Sequence, residues 1–198
     1  MGEALIGLAC GVAAGFLLAV AMDRFVVIDK ALSPLVTISQ TIPTVAIAPL
    51  LVLWLGYGML PKVLLVALTT FFPITVSLAS GFRSVDPDAI DLMRTMNASW
   101  WQIFCFAKLP AAAESFFAGL RISATYAVVG AVVAEWLGGF EGLGVYMTRV
   151  RKSYSYDQMF AVIIIISALS LVLMGITRLL ERACMPWKRV NKNEQEVQ

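Results

Sequence analysis

The sequence predicts an all-α membrane protein, and three observations carry that prediction. Hydrophobic residues make up 60% of the chain and charged residues only 14%, whereas a soluble domain sits nearer half apolar and a quarter charged. The apolar residues gather into five runs, each close to the roughly 20 residues that a helix needs to cross a bilayer. The polar residues fall between those runs, and lysine and arginine are shared unevenly between the two sides that the runs define. The expected solvent is therefore lipid.

The first run is Leu5–Met22, rich in glycine and alanine. It lacks a positive leading region and its apolar stretch is long, so it reads as a retained span and not a secretion signal. Thr37–Leu55 is the second span and carries Pro43 and Pro49. Val63–Ser80 is the third, with Pro73 inside it. Phe116–Leu137 is the fourth and Met159–Leu180 the fifth. Residues 138–144, GGFEGLG, hold too many glycines for a helix and read as a turn. Residues 1–186 are expected to form one transmembrane domain, and residues 187–198 a polar tail.

Charge orients the spans. Of the fifteen lysines and arginines, all but Lys62, Arg149, Arg151 and Lys152 fall on one side, the side that holds the C-terminus. That bias predicts an outside N-terminus and a cytoplasmic C-terminus. The cluster from Arg149 to Lys152 dissents. It is either a solvated face or a contact for an acidic partner. The formal net charge of +2 is too small for a nucleic-acid partner. Cys10, Cys105 and Cys184 have no paired spacing, so neither a disulfide framework nor a metal site is expected.

One polar interruption is more ordered than a connector needs. Residues 88–110 read DAIDLMRTMNASWWQIFCFAKLP. Asp86 is a good N-cap, and Pro87 falls at the first helical position, where its missing N–H costs nothing. Asp88 suits the positive end of the helix dipole. A helix is predicted from Pro87 to Met96, with Ile90, Leu92, Met93 and Met96 in two adjoining apolar rows, and Asp91 and Arg94 on the other side. Asn97 suits the left-handed residue that ends helices. Ser99 and Gln102 then form a capping box that opens a second helix, which Pro110 closes. Helix, sharp turn, helix is the expectation, lying at a membrane surface with Trp100 and Trp101 at headgroup level. The exposed Leu and Met side chains of the first helix are either a partner contact or a lipid-facing stripe.

Polar residues within spans are the candidates for a solute path. Ser39, Gln40, Thr41 and Thr44 cluster around Pro43, where freed backbone groups can face a cavity. Thr125 and Tyr126 sit in mid-span, where they line a passage or make interhelix hydrogen bonds. Arg121 and Glu135 lie near opposite ends of the fourth span, placed for the path or for snorkelling to the interface.

The interruption resembles the EAA loop of ABC-importer permeases, whose pattern is E-A-A, three residues, G, nine residues, I-x-L-P. Asp91-Leu92-Met93 stands for the acidic-Ala-Ala start, Asn97 for the glycine, and Ala107-Lys108-Leu109-Pro110 for the close, with the spacing kept. SQTIPTVAIAPLLVLWLGYG, FFPITVSLASGFRSVDPD and EWLGGFEGLGVYMTRV are similar to the sulfonate, nitrate and thiamine-precursor branch of these permeases. Members of that branch often have an additional N-terminal helix, which this chain is expected to lack.

The resemblance implies the five-span core of the type I ABC-importer permease fold with a cytoplasmic coupling-helix hairpin, about residues 84–110. It implies a bacterial inner-membrane permease homodimer, two cytoplasmic ATPase subunits and an external solute-binding protein. Asp88, Ala89, Ile90, Asp91, Leu92, Met93, Arg94 and Asn97 become the ATPase-coupling residues. The implied solute is a hydroxymethylpyrimidine-type thiamine precursor, with aliphatic sulfonate, taurine or nitrate as alternatives.

The residues agree with that division of labour. There is no G-x-x-x-x-G-K-[ST] phosphate loop, so ATP and magnesium belong on a partner chain and no cofactor is expected here. There is no histidine, and no serine or cysteine nucleophile has a visible base partner, so a non-catalytic subunit is expected. The alternative reading is an ATPase-independent secondary transporter or a membrane scaffold.

Overall fold

The computed structural model describes residues 2–186. They form α1 (Gly2–Arg24), α2 (Val26–Ser39), α3 (Thr44–Leu55), α4 (Met59–Arg83), α5 (Pro87–Thr95) and α6 (Trp100–Ile103). A π-turn at Phe104–Lys108 follows, then α7 (Leu109–Gly138), α8 (Leu143–Lys152) and α9 (Tyr156–Cys184). Among the described residues four helices are long and apolar enough to cross a membrane, or five spans if the bent pair α2–α3 counts as one.

The core is built on α4, which packs between α1 and α7. Close approach is possible because small residues line both seams. Gly7, Gly11 and Gly15 recur every fourth residue, so they share one face of α1. They lie against Val66, Thr70 and Ile74 of α4, and a Cβ added at Gly15 would come within 3.0 Å of the Ile74 side chain. On the other seam, Gly81 meets Ala112 and Ser115, and Gly119 meets Ser77 and the Pro73 carbonyl. Small residues let helix backbones meet in lipid, where van der Waals packing replaces the hydrophobic drive. Ser123 adds an interhelix bond, its hydroxyl donating to the Thr70 carbonyl at 2.9 Å. Leu65, Val66, Ile74 and Leu78 are fully buried between these seams. α9 packs on α7 and leaves Ile164, Leu171, Val172 and Leu179 exposed, as a lipid-facing helix does.

Ion pairs fasten the helix ends. Glu3 of α1 holds Lys62 of α4 at 2.8 Å at one end of the bundle. At the other end Asp23 holds Lys108 at 2.6 Å, and Asp29 pairs with Arg83. Arg121 pairs with Glu181 between α7 and α9, so Arg121 is tied to a neighbouring helix.

Two sequence expectations change. The run Thr37–Leu55 is not one straight span: α2 already begins at Val26, and α2 and α3 meet at 97°. The break at residues 40–43 follows from Pro43, which has no N–H and steers Ile42 away from helical geometry. The chain turns there through bonds from Thr41 N–H to the Ile38 carbonyl and from Ile42 N–H to the Ser39 carbonyl. Pro110 does not close the second helix of the hairpin either. That helix runs on through the π-turn into the fourth span, so Trp100–Leu137 is one stretch of 38 residues. In the π-turn the Leu109 N–H reaches back five residues to the Phe104 carbonyl. The wider turn accommodates a proline ring that would clash with the carbonyl four residues earlier in a regular helix. The predicted tail, residues 187–198, lies outside the described residues.

Candidate functional site

The turn between α4 and α7 is a rigid elbow. Asp86 caps α5, its Oδ1 accepting from the Asp88 N–H at 3.0 Å. Pro87 occupies the first turn, Asp88 lies at the positive end of the helix and Arg94 at the negative end. Arg94 also pairs with Asp91 at 2.9 Å across one turn, a solvated pair of modest value. At the far end Asn97 has φ 60°. The Asn97 N–H bonds to the Arg94 carbonyl at 2.9 Å, and the Ala98 N–H to the Met93 carbonyl at 3.0 Å. That pair of bonds is the Schellman closure, which needs a left-handed residue where Asn97 stands. The capping box follows at once. Gln102 Oε1 accepts from the Ser99 N–H at 2.7 Å and Ser99 Oγ from the Gln102 N–H at 3.4 Å.

The tip of this elbow is free and its root is fastened. Among the described residues of α5 none is buried. Asp88, Ala89, Asp91, Arg94 and Asn97 face outward, Ile90 and Met93 are half-buried, and Leu92 and Met96 are 63% and 74% exposed. Below them Trp100 stacks on Phe104 with ring centroids 5.0 Å apart, and Phe104 packs on Phe82 of α4. The Arg24 guanidinium lies 5.0 Å from the Trp100 ring, and Lys108 reaches Asp23 one residue earlier. The last turn of α1 thus grips the start of the long helix twice. Trp101 is exposed, as a headgroup residue would be, whereas Trp100 belongs to the elbow's root.

The path candidates divide. Ser39, Gln40, Thr41, Thr44 and Tyr126 come together around a cavity of about 300 Å³ at the break between α2 and α3. Thr69, Phe72 and Pro73 of α4 complete its wall, and the sequence reading missed them. The available signal was Thr69 and Pro73, one turn apart on one face of a span. Thr125 is not in this wall; its hydroxyl bonds to the Arg121 carbonyl in its own helix. Glu135 lies elsewhere. Its Oε2 accepts from the buried Gly144 N–H at 2.7 Å, so it caps α8 from the end of α7. The carboxylate packs directly against Gly142, where no Cβ would fit.

Glu135 also borders two further hollows. One, about 320 Å³, is lined by apolar residues including Val128, Ala131, Ile166 and Leu169. The described residues hold no cluster of three or more potential metal ligands, and the three cysteines are unpaired.

Membrane-length helices, a polar cavity at a broken span and a stiff surface helix at one end define a polytopic helical membrane protein. Residues 11–185 match the model of the family described as binding-protein-dependent transport system inner membrane component. The chain belongs to this family and is the transmembrane permease component of an ABC importer. It is 40% identical over 184 residues to the formylaminopyrimidine transport permease protein ThiX of Halalkalibacterium halodurans, covering 93% of this chain and 74% of that protein. It is 33% identical to the putative aliphatic sulfonates transport permease protein SsuC of Bacillus subtilis, covering 92% of this chain and 63% of that protein. The fold matches a solved amino acid ABC transporter chain with a TM-score of 0.72 at 16% identity, over 92% of this chain and 89% of that one.

Proposed function

We propose that this permease moves a small pyrimidine of the thiamine-precursor type, handed over by an external binding protein and driven by ATPase subunits docked on α5. The observation that carries the coupling half is the elbow itself. A helix capped at its start and closed by Asn97, holding Leu92 and Met96 in solvent, is a lever shaped to be gripped. Its root, fastened to α1 and α4, passes movement of the tip to two spans. Two copies of the chain would pair side by side in the membrane, with the C-termini on the ATPase side, the orientation that the lysine and arginine bias favours. ATP and magnesium would reside on the ATPases, leaving this chain non-catalytic.

The substrate half rests on the 40% identity to the formylaminopyrimidine permease, against 33% for the sulfonate permease. The cavity beside Tyr126 and Phe72 suits a flat ring, with Ser39, Thr41 and Thr44 at its edge; the Ser39 and Thr41 hydroxyls donate to the Val36 and Ile38 carbonyls and so offer a solute their lone pairs. In proteoliposomes carrying the whole complex, ATP-dependent uptake of labelled formylaminopyrimidine should be seen and should not be competed by taurine or alkyl sulfonate. Uptake driven by a proton gradient without ATP would break this reading. Asp91→Lys should lower ATPase co-purification severalfold with little loss of stability, since Asp91 is solvated. An unchanged pull-down removes Asp91 from the contact.

A further inference from the structure

A second, unused contact surface lies at the C-terminal corner of α8. We propose that this corner seats an acidic face of the external binding protein, with Tyr154 as its anchor. The inference rests on the reading that α5 meets the ATPases. α5 precedes and α8 follows the 38-residue stretch that ends α7, a length of roughly 55 Å at helical rise. If α5 is cytoplasmic, α8 is outside.

The charge is concentrated and unspent. Arg149, Arg151 and Lys152 are all exposed, and among the described residues none of them is paired with a carboxylate. Arg149 and Lys152 are one turn apart and share a face. With Trp136 and Thr148 they line a groove of about 290 Å³ between α8 and the end of α7. Glu135 at its floor is engaged with the Gly144 N–H. A concave, cationic groove suits inserted carboxylate side chains.

The backbone adds an independent observation. Tyr154 has φ 56° and the residue is 77% exposed. Its N–H bonds to the Arg151 carbonyl and the Ser155 N–H to the Val150 carbonyl, the same closure that Asn97 makes. Glycine or asparagine fits that closure with less strain. The turn therefore does not call for an aromatic ring, and nothing in the described fold covers it. Tyrosine and arginine are the residues that dominate protein contact energies.

The corner is also held in place, which lowers the ordering cost of docking. Ser153 Oγ donates to the Val150 carbonyl at 3.0 Å, and Tyr146 reaches Gln158 of α9 at 3.3 Å. Anionic lipid headgroups would also attract the cations, and tyrosine suits the headgroup level, so the lipid composition of the discs is what separates the two occupants.

The test uses the full permease–ATPase complex in nanodiscs and the solute-binding protein that stimulates wild-type ATP hydrolysis. The readout is the binding-protein concentration for half-maximal stimulation, relative to hydrolysis without it. Arg149→Glu with Lys152→Glu should raise that concentration about tenfold or more. It should also remove the wild-type weakening between about 50 and 300 mM salt. Tyr154→Gly should raise it about fivefold while the melting temperature stays level or rises, so misfolding does not mimic the result. Unchanged half-stimulation in both variants overturns the proposal. An effect seen only in discs with anionic lipid overturns it too, assigning the cations to headgroups. If the wild type retains ATPases but no binding protein stimulates it, the proposal falls and the α5 reading stands. If the wild type retains no ATPase, the α5 reading falls and takes the proposal with it.

Discussion

α5 and α8 are short helices that each follow a span, and each ends in the same left-handed closure, at φ 60° for Asn97 and 56° for Tyr154. They differ in what holds them. α5 is capped by its own neighbour Asp86, buries none of its described residues and is stiff by local bonds alone. α8 has Gly142 at its N-cap, which has no side chain to cap with, and borrows the Glu135 carboxylate from α7. It buries Gly144 and Val150 against the bundle. α5, which we propose enters an ATPase, carries its order in its own sequence. A helix that is part of the wall takes its order from the wall.

That contrast can be broken. The largest effect is expected at the borrowed cap. Glu135→Ala leaves the buried Gly144 N–H without an acceptor and should destabilise by about 1–3 kcal/mol. Glu135→Gln keeps a carbonyl oxygen in place and should recover most of it, read as melting temperature in detergent. Next is the closure of α5. Asn97→Val forces a β-branched residue into the left-handed region at about 1–2 kcal/mol, and because α5 has no wall to support it, the loss should appear as reduced ATPase retention. Normal ATPase retention with normal stimulated hydrolysis in that variant would count against the elbow. The smallest effect runs the other way. Tyr154→Gly should stabilise by about 1 kcal/mol, since strain outweighs the added freedom of the unfolded chain, whereas Asn97→Gly should be nearly neutral. A Tyr154→Gly protein that melts earlier would mean that the ring packs inward.

The local features were readable because their partners lie within a few residues. Asp86, Asn97, and the Ser99–Gln102 box stand where the sequence places them, since caps and closures are short-range bonds. Pro110 was misleading because its consequence depends on the turn before it. A five-residue register at Phe104–Lys108 absorbs the ring and lets the helix continue. The break at Pro43 was visible as a proline but not as a 97° bend, which requires room on the cavity side. For Glu135 the sequence offered the path or the interface, because a carboxylate near a span end has many uses, and only the fold brings the Gly144 N–H to it.

By itself, the sequence determined that the chain lives in lipid as helices, which apolar runs supply the spans other than the bent second one, and how the elbow is closed, because composition and nearest-neighbour bonding settle those matters. Only the tertiary structure decided that Gly7, Gly11 and Gly15 bring α1 onto α4, that one helix runs unbroken from Trp100 to Leu137, and that five polar candidates share a cavity while Thr125 and Glu135 stand apart. Those outcomes depend on which faces of different helices meet, and that choice is made by close packing among residues far apart in the chain.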